Sequence, residues 1–90
     1  MQKRKASLDR IKELKEKIDT LKLDENDLRK KWEEEKNINL KINKKKEELE
    51  NSKFKLEQAE NNYDLESAAR LRHGIIPTLE KEIEELKQIL

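Results

Sequence analysis

The sequence predicts an all-α fold: an antiparallel coiled coil of three helices, one long, the third kinked at Gly74–Pro77. Composition is the first reason. Charged residues make up 48% of the chain and apolar ones 32%, where globular domains run at about a quarter and about half. Such a chain cannot enclose a thick core, which leaves disorder or long helices meeting along narrow seams. Charge balance is the second reason. The 22 Lys and Arg offset 21 Asp and Glu to a net +1, whereas disorder usually pairs low hydrophobicity with high net charge. The third reason is rhythm: apolar residues return every three or four positions, the spacing of a helix seam. Residues 1–90 together read as a single coiled-coil unit.

The first helix is predicted over about residues 7–37, with Ser7 as N-cap. Its seam is Leu8, Ile11, Leu14, Ile18, Leu21, Leu28 and Trp32, with Glu25 at one seam position. Trp32 closes the stripe as an anchor. The rhythm then breaks at Asn37, Asn39 and Asn43. Their amides bond local backbone and favour turns, so a loop is predicted there. A second helix follows over about residues 43–61. It carries Ile42, Leu49, Leu56, Ala59 and Tyr63 on one line, with Phe54 off it.

Asn61-Asn62-Tyr63-Asp64 reads as a turn, with Asp64 as N-cap of a third helix over about residues 64–90. Its stripe is Ala68, Leu71, Ile75, Leu79, Ile83, Leu86 and Leu90. The chain's only Gly and only Pro, Gly74 and Pro77, fall inside that stripe. The rhythm keeps its phase through them, so one kinked helix is expected rather than two. Interior Pro costs about 3 kcal/mol and interior Gly about 1, which burial of Ile75, Ile76 and Leu79 can offset at roughly 1.5–3 kcal/mol per side chain. The second helix is too short to match the first. The stripe at Ile11, Leu14, Ile18 and Leu21 therefore lacks a partner in the chain, which predicts self-association or a further helix upstream.

Reactive constellations are absent from the sequence. One glycine cannot make a phosphate loop. There is no cysteine, so disulfides and thiolate metal sites are excluded and the redox compartment stays open. His73 is the only histidine and reads as a surface or packing residue rather than a metal ligand. Ser67 and His73 lie six apart, on different helix faces. No catalytic, cofactor or metal residues are expected. Basic runs at Lys3–Lys5, Arg29–Lys31 and Lys44–Lys46 would suit phosphates, but glutamates follow the second and third, and three aromatic residues are too few for stacking. Nucleic acid is therefore not the expected partner. Lys44–Lys46, placed at the start of the second helix, is the better candidate for an acidic partner, because the helix dipole disfavours cations there. No apolar run approaches the roughly 20 residues of a membrane span, and Met1-Gln-Lys-Arg-Lys has no apolar stretch behind it as a leader would. The compartment is left undetermined.

Three elements carry a family resemblance. They are Trp32-Glu33-Glu34-Glu35-Lys36, then Leu56-Glu57-Gln58-Ala59, then Leu71-Arg72-His73-Gly74-Ile75-Ile76-Pro77-Thr78-Leu79-Glu80. From about Leu8 to Leu86 the chain resembles the middle coiled-coil domain of ClpB-type AAA+ disaggregases, which show W-x-x-E-K, L-E-Q-A and L-x-Y-G-x-I-P-x-L-E at matching intervals. His73 stands where the family usually has Tyr. The resemblance implies a regulatory arm inserted in the first ATPase module of a hexameric unfoldase, holding the long helix and second wing and lacking the first helix. The arm itself is implied to be no enzyme; ATP and magnesium belong to the parent. Implied partners are the parent's AAA+ modules, which the arm represses, and a DnaK-type chaperone, which it docks. Lys46 and His73 fall on positions that tune repression and activation; Ala69 and Gly74 fall by the docking surface. The parent's task is disaggregation or the threading of exported proteins. A structural spacer or tether in a cytoskeletal or motor protein is the alternative, needing sustained heptads in the flanks where the chaperone reading needs a Walker-type loop upstream.

Overall fold

The computed structural model describes residues 2–90, with side chains from Arg4 onward. The extreme N-terminus that was read for a leader, and Lys3 of the first basic run, lie outside the described residues and side chains. Every element is helical. Helix α1 is Gln2–Asn61, α2 is Leu65–Arg70, a π-helical turn covers Leu71–Ile75, and α3 is Ile76–Ile89. The last three follow one another without a break, so residues 65–89 form one return arm. The molecule thus has two helical arms where three helices were predicted. It divides into two units, one ending at Glu34 and the other Glu35–Leu90.

The predicted loop at residues 36–43 is absent. The helix is already running at Ser7, which is therefore no N-cap, and it continues through Asn37, Asn39 and Asn43. All three asparagines are exposed, while Ile38 is half-buried and Ile42 is buried. Asn is only a modestly poor helix former, and burial of two isoleucines one turn apart outweighs three such preferences. Leu40, which made the alternation look strand-like, is exposed. Lys44–Lys46 accordingly lie in the middle of a helix, away from any N-terminal dipole.

In the unit Glu35–Leu90, α1 and the return arm lie antiparallel. The α1 seam is Ile38, Ile42, Lys45, Leu49, Ser52, Leu56 and Ala59, in alternating steps of four and three. Two of these positions are polar. Ser52 is buried, and Lys45 is half-buried and donates to the Glu82 carboxylate of α3. That bond is the main reason the Lys45 ammonium titrates above its ordinary value. From the return arm, Ala68, Leu71, Ile76, Leu79 and Ile83 are buried and Leu86 is half-buried. Arg72 pairs with Glu60 across the hairpin. Tyr63 and Leu90, predicted as stripe members, are exposed.

The turn is built by a Schellman arrangement. Asp64 N–H donates to the Ala59 carbonyl at 2.8 Å and Tyr63 N–H to that of Glu60 at 3.1 Å. Tyr63 occupies the left-handed position, with φ 58, where glycine is usual. Asp64 then starts the return arm as its N-cap. Its Oδ1 accepts from the Ser67 N–H at 3.2 Å, and Glu66 sits in the first turn, where negative charge suits the dipole.

The irregularity predicted at Gly74–Pro77 takes the form of a π turn. The Ile76 N–H reaches back five residues to the Leu71 carbonyl. In a straight α-helix the Pro77 ring would crowd the His73 carbonyl and forfeit its hydrogen bond. The extra residue of the π turn resets the helix, so Pro77 falls in the first turn of α3, where proline is best tolerated. The same extra residue shifts the phase: Ile76 takes the seam and Ile75 does not, the reverse of the prediction.

The unit up to Glu34 is a length of α1. Its stripe residues Ile11, Leu14, Ile18, Leu21 and Leu28 are each more than half exposed, as is Trp32 at 61%. Glu25 and Arg29 form an ion pair at 3.1 Å, and the Thr20 hydroxyl donates to the Glu16 carbonyl at 3.0 Å. An exposed i,i+4 pair contributes only about 0.3–0.5 kcal/mol.

Candidate interaction surface

The return arm carries most of the irregular chemistry of the chain. Ala69 is exposed in α2, and His73 and Gly74 are exposed in the π turn. An added Cβ at Gly74 would meet nothing within 4 Å, so that residue presents bare backbone to open space. Its carbonyl accepts a hydrogen bond from the Thr78 hydroxyl at 2.7 Å. This is a hydroxyl-to-backbone bond back four residues along the helix.

An open groove runs beside the π turn between the two arms of the hairpin. Glu48 and Lys55 of α1 line one wall, and Arg70, Gly74, Ile75 and Thr78 line the other. Lys55, Arg70 and Ile75 continue into a second depression beside the turn at Asp64. Of the four residues singled out as regulatory, Gly74 alone lines this groove. Lys46, Ala69 and His73 are exposed but are not among its lining residues. Of the predicted anchors, Leu79 and Ile83 are buried, Ile75 is 40% exposed, and Ile11, Leu14, Ile18, Leu21 and Trp32 are exposed.

Lys55, Arg70 and Thr78 were not singled out from the sequence. Lys and Arg are too frequent in this chain for any one to stand out. Thr78 carried a readable signal, a hydroxyl one residue past the proline and four past the glycine. Among the described residues, no group of three or more His, Cys, Asp or Glu could hold a metal ion, and no helix is long and apolar enough to cross a membrane. The Asp64 carboxylate is held below its usual pKa range, by the Ser67 hydroxyl first and the Ser67 N–H second. That is the signature of a helix cap.

A seam-zipped pair of antiparallel helices, with exposed backbone and an open groove at its π turn, defines a coiled-coil hairpin. The chain is homologous to a small part of the ClpB chaperones. It is 45% identical over 83 residues to the chaperone protein ClpB of Enterococcus faecalis, covering 92% of this chain and 10% of that protein. The ClpB of Bacillus cereus is 42% identical over 85 residues, covering 94% and 10%. The mitochondrial chaperone protein ClpB4 of Arabidopsis thaliana is 36% identical over 86 residues, covering 96% and 9%. The chain thus spans about a tenth of the length of the curated relatives it matches. No family model matches it, and no solved structure does.

Proposed function

We propose that this segment is a regulatory arm of an ATP-driven AAA+ unfoldase, which controls the motor's ATPase activity and docks a DnaK-type chaperone. The arm itself carries no chemistry; ATP and magnesium are handled by the rest of the parent protein. The mechanism is a two-state docking equilibrium, biased by whichever surface the partner prefers. One observation carries the reading. The return arm presents Ala69, His73 and bare backbone at Gly74 outward, while Ala68, Leu71, Ile76, Leu79 and Ile83 face the seam. Outward placement is what docking needs. Lys46, exposed on α1, supplies a charge through which contact with the motor is tuned.

The test is His73→Asp in the full-length ATPase that contains this segment. A carboxylate on the docking face should shift the basal ATPase rate and the rate stimulated by a DnaK-type chaperone. Unchanged basal and stimulated rates would reject the regulatory reading and leave a spacer role.

A further inference from the structure

The basic run ending at Lys5 lies in the unit up to Glu34, outside the hairpin, and the serine that follows it is no helix cap. Together they read Arg4-Lys5-Ala6-Ser7-Leu8. Cations stand three and two residues before a hydroxyl, and an apolar side chain stands directly after it. Basophilic protein kinases select their substrates by this charge pattern, through carboxylates that line the upstream part of the substrate cleft. No other serine or threonine of the chain has it. Thr20 has Lys17 three before it, but then Ile18 and Asp19. Ser52 follows Leu49 and Glu50, Ser67 follows Asp64 and Leu65, and Thr78 follows Ile75 and Ile76 at the same two positions.

A kinase cleft takes its substrate as extended chain, so the helix must open around the serine. In this unit opening forfeits no burial, because every side chain from Arg4 to Glu34 is exposed. A helix without packing is marginal in water, and segments with few buried contacts open at the least cost. Around Ser52, by contrast, opening would draw a buried seam into water. We propose that Ser7 is a phosphorylation site for a basophilic serine/threonine kinase, with Arg4 as the residue that sets its recognition. In the transfer, Ser7 Oγ bonds to the γ-phosphorus of ATP as the bond to the β,γ-bridging oxygen breaks. ADP leaves, and the hydroxyl proton passes to the kinase's catalytic carboxylate. The phosphoserine carries a charge of roughly −1.5 to −2. Arg4 and Arg10 stand one turn to either side of it, at i−3 and i+3, the spacing at which helix side chains pair. Ser7 also lies seven residues before Leu14, on the row that continues to Leu21 and Leu28. The phosphate therefore ends the exposed apolar stripe with a charge that any helix laid along it must meet. The site does not rest on the docking role proposed above.

The test incubates the 90-residue chain with the catalytic subunit of a cyclic-AMP-dependent protein kinase, magnesium and ATP. Mass spectrometry maps the phosphate, and radiolabelled ATP gives the rate. Phosphate is expected on Ser7, and S7A should take up none. R4A should slow the reaction by about tenfold or more, the loss of a charge-assisted pair with the kinase. R4A and S7A alter exposed side chains, and circular dichroism checks that both keep the helix. The peptide of residues 1–14 serves as the unfolded reference. A whole chain within about a hundredfold of the peptide's rate supports a cheaply opened helix. A slower chain, no incorporation, phosphate preferring another residue, or an R4A rate equal to the parent's overturns the proposal. No ATPase measurement of the parent enters, so a failure here is distinct from a failure of the regulatory reading.

Discussion

Replacing Gly74 by Ala adds one methyl group at the most informative place in the hairpin. Gly74 has helical backbone with a negative φ, and the new Cβ would meet nothing within 4 Å. Neither strain nor a clash therefore opposes the change. The gain comes from the unfolded chain, which has fewer conformations to lose once the glycine is gone. Interior Gly lies about 0.8–1.0 kcal/mol below Ala, so G74A should stabilise the hairpin by about that amount. For a domain of this size that raises Tm by about 4–8 °C. The assay is thermal unfolding of the chain followed by circular dichroism. A lower or unchanged Tm would refute the reasoning, because it would mean that the π turn itself needs glycine's freedom. If Tm rises as expected, the glycine is not there for stability. On the docking role proposed above, the same G74A in the full-length protein should then weaken stimulation by a DnaK-type chaperone, since the methyl group covers the bare backbone.

Other outcomes follow from the same packing. Ile83 is 6% exposed; deleting three carbons there at about 0.8 kcal/mol each makes I83A destabilising by about 2–3 kcal/mol. I18A, on the exposed stripe of the other unit, should change stability by less than about 1 kcal/mol, and comparing the two variants by urea unfolding checks this. The Asp64 pKa is lower folded than unfolded, so its contribution is present above the unfolded value, near pH 4, and is lost as pH falls through the folded value. D64N should flatten that acid limb in a pH series of Tm. The Lys45 pKa is raised by Glu82, so its contribution is full below the unfolded value, near pH 10, and is lost as pH rises through the folded value. E82Q should remove that alkaline limb.

Much of the return arm was legible in the sequence. Asp64 reads as a cap because a short acidic side chain precedes a helical stripe, and it is one. Ala68, Leu71, Leu79 and Ile83 recur at helix spacing, and all are buried. The long helix was legible only in part. Lys45 and Ser52 complete the α1 heptad, but a search for apolar residues passes over both. Seen without them, Ile42, Leu49 and Leu56 look like an isolated seven-residue rhythm, and the asparagines near residue 40 look like a boundary. The helix continues because Ile38 and Ile42 are buried, and burial is a property of the pair of arms that no local preference contains.

The sequence by itself determined that the chain is helical, that its stability lies in a narrow seam, and that residues 71–77 are its irregular point. These follow from composition and from spacing along one strand of chain. Only the tertiary structure decided between Ile75 and Ile76. Both are equally apolar and adjacent, and the choice depends on whether the turn before Pro77 holds one more residue. The hydrogen bond from Ile76 to Leu71 settles that, and it forms because the arm must both clear the proline ring and keep Ala68 and Leu79 against α1.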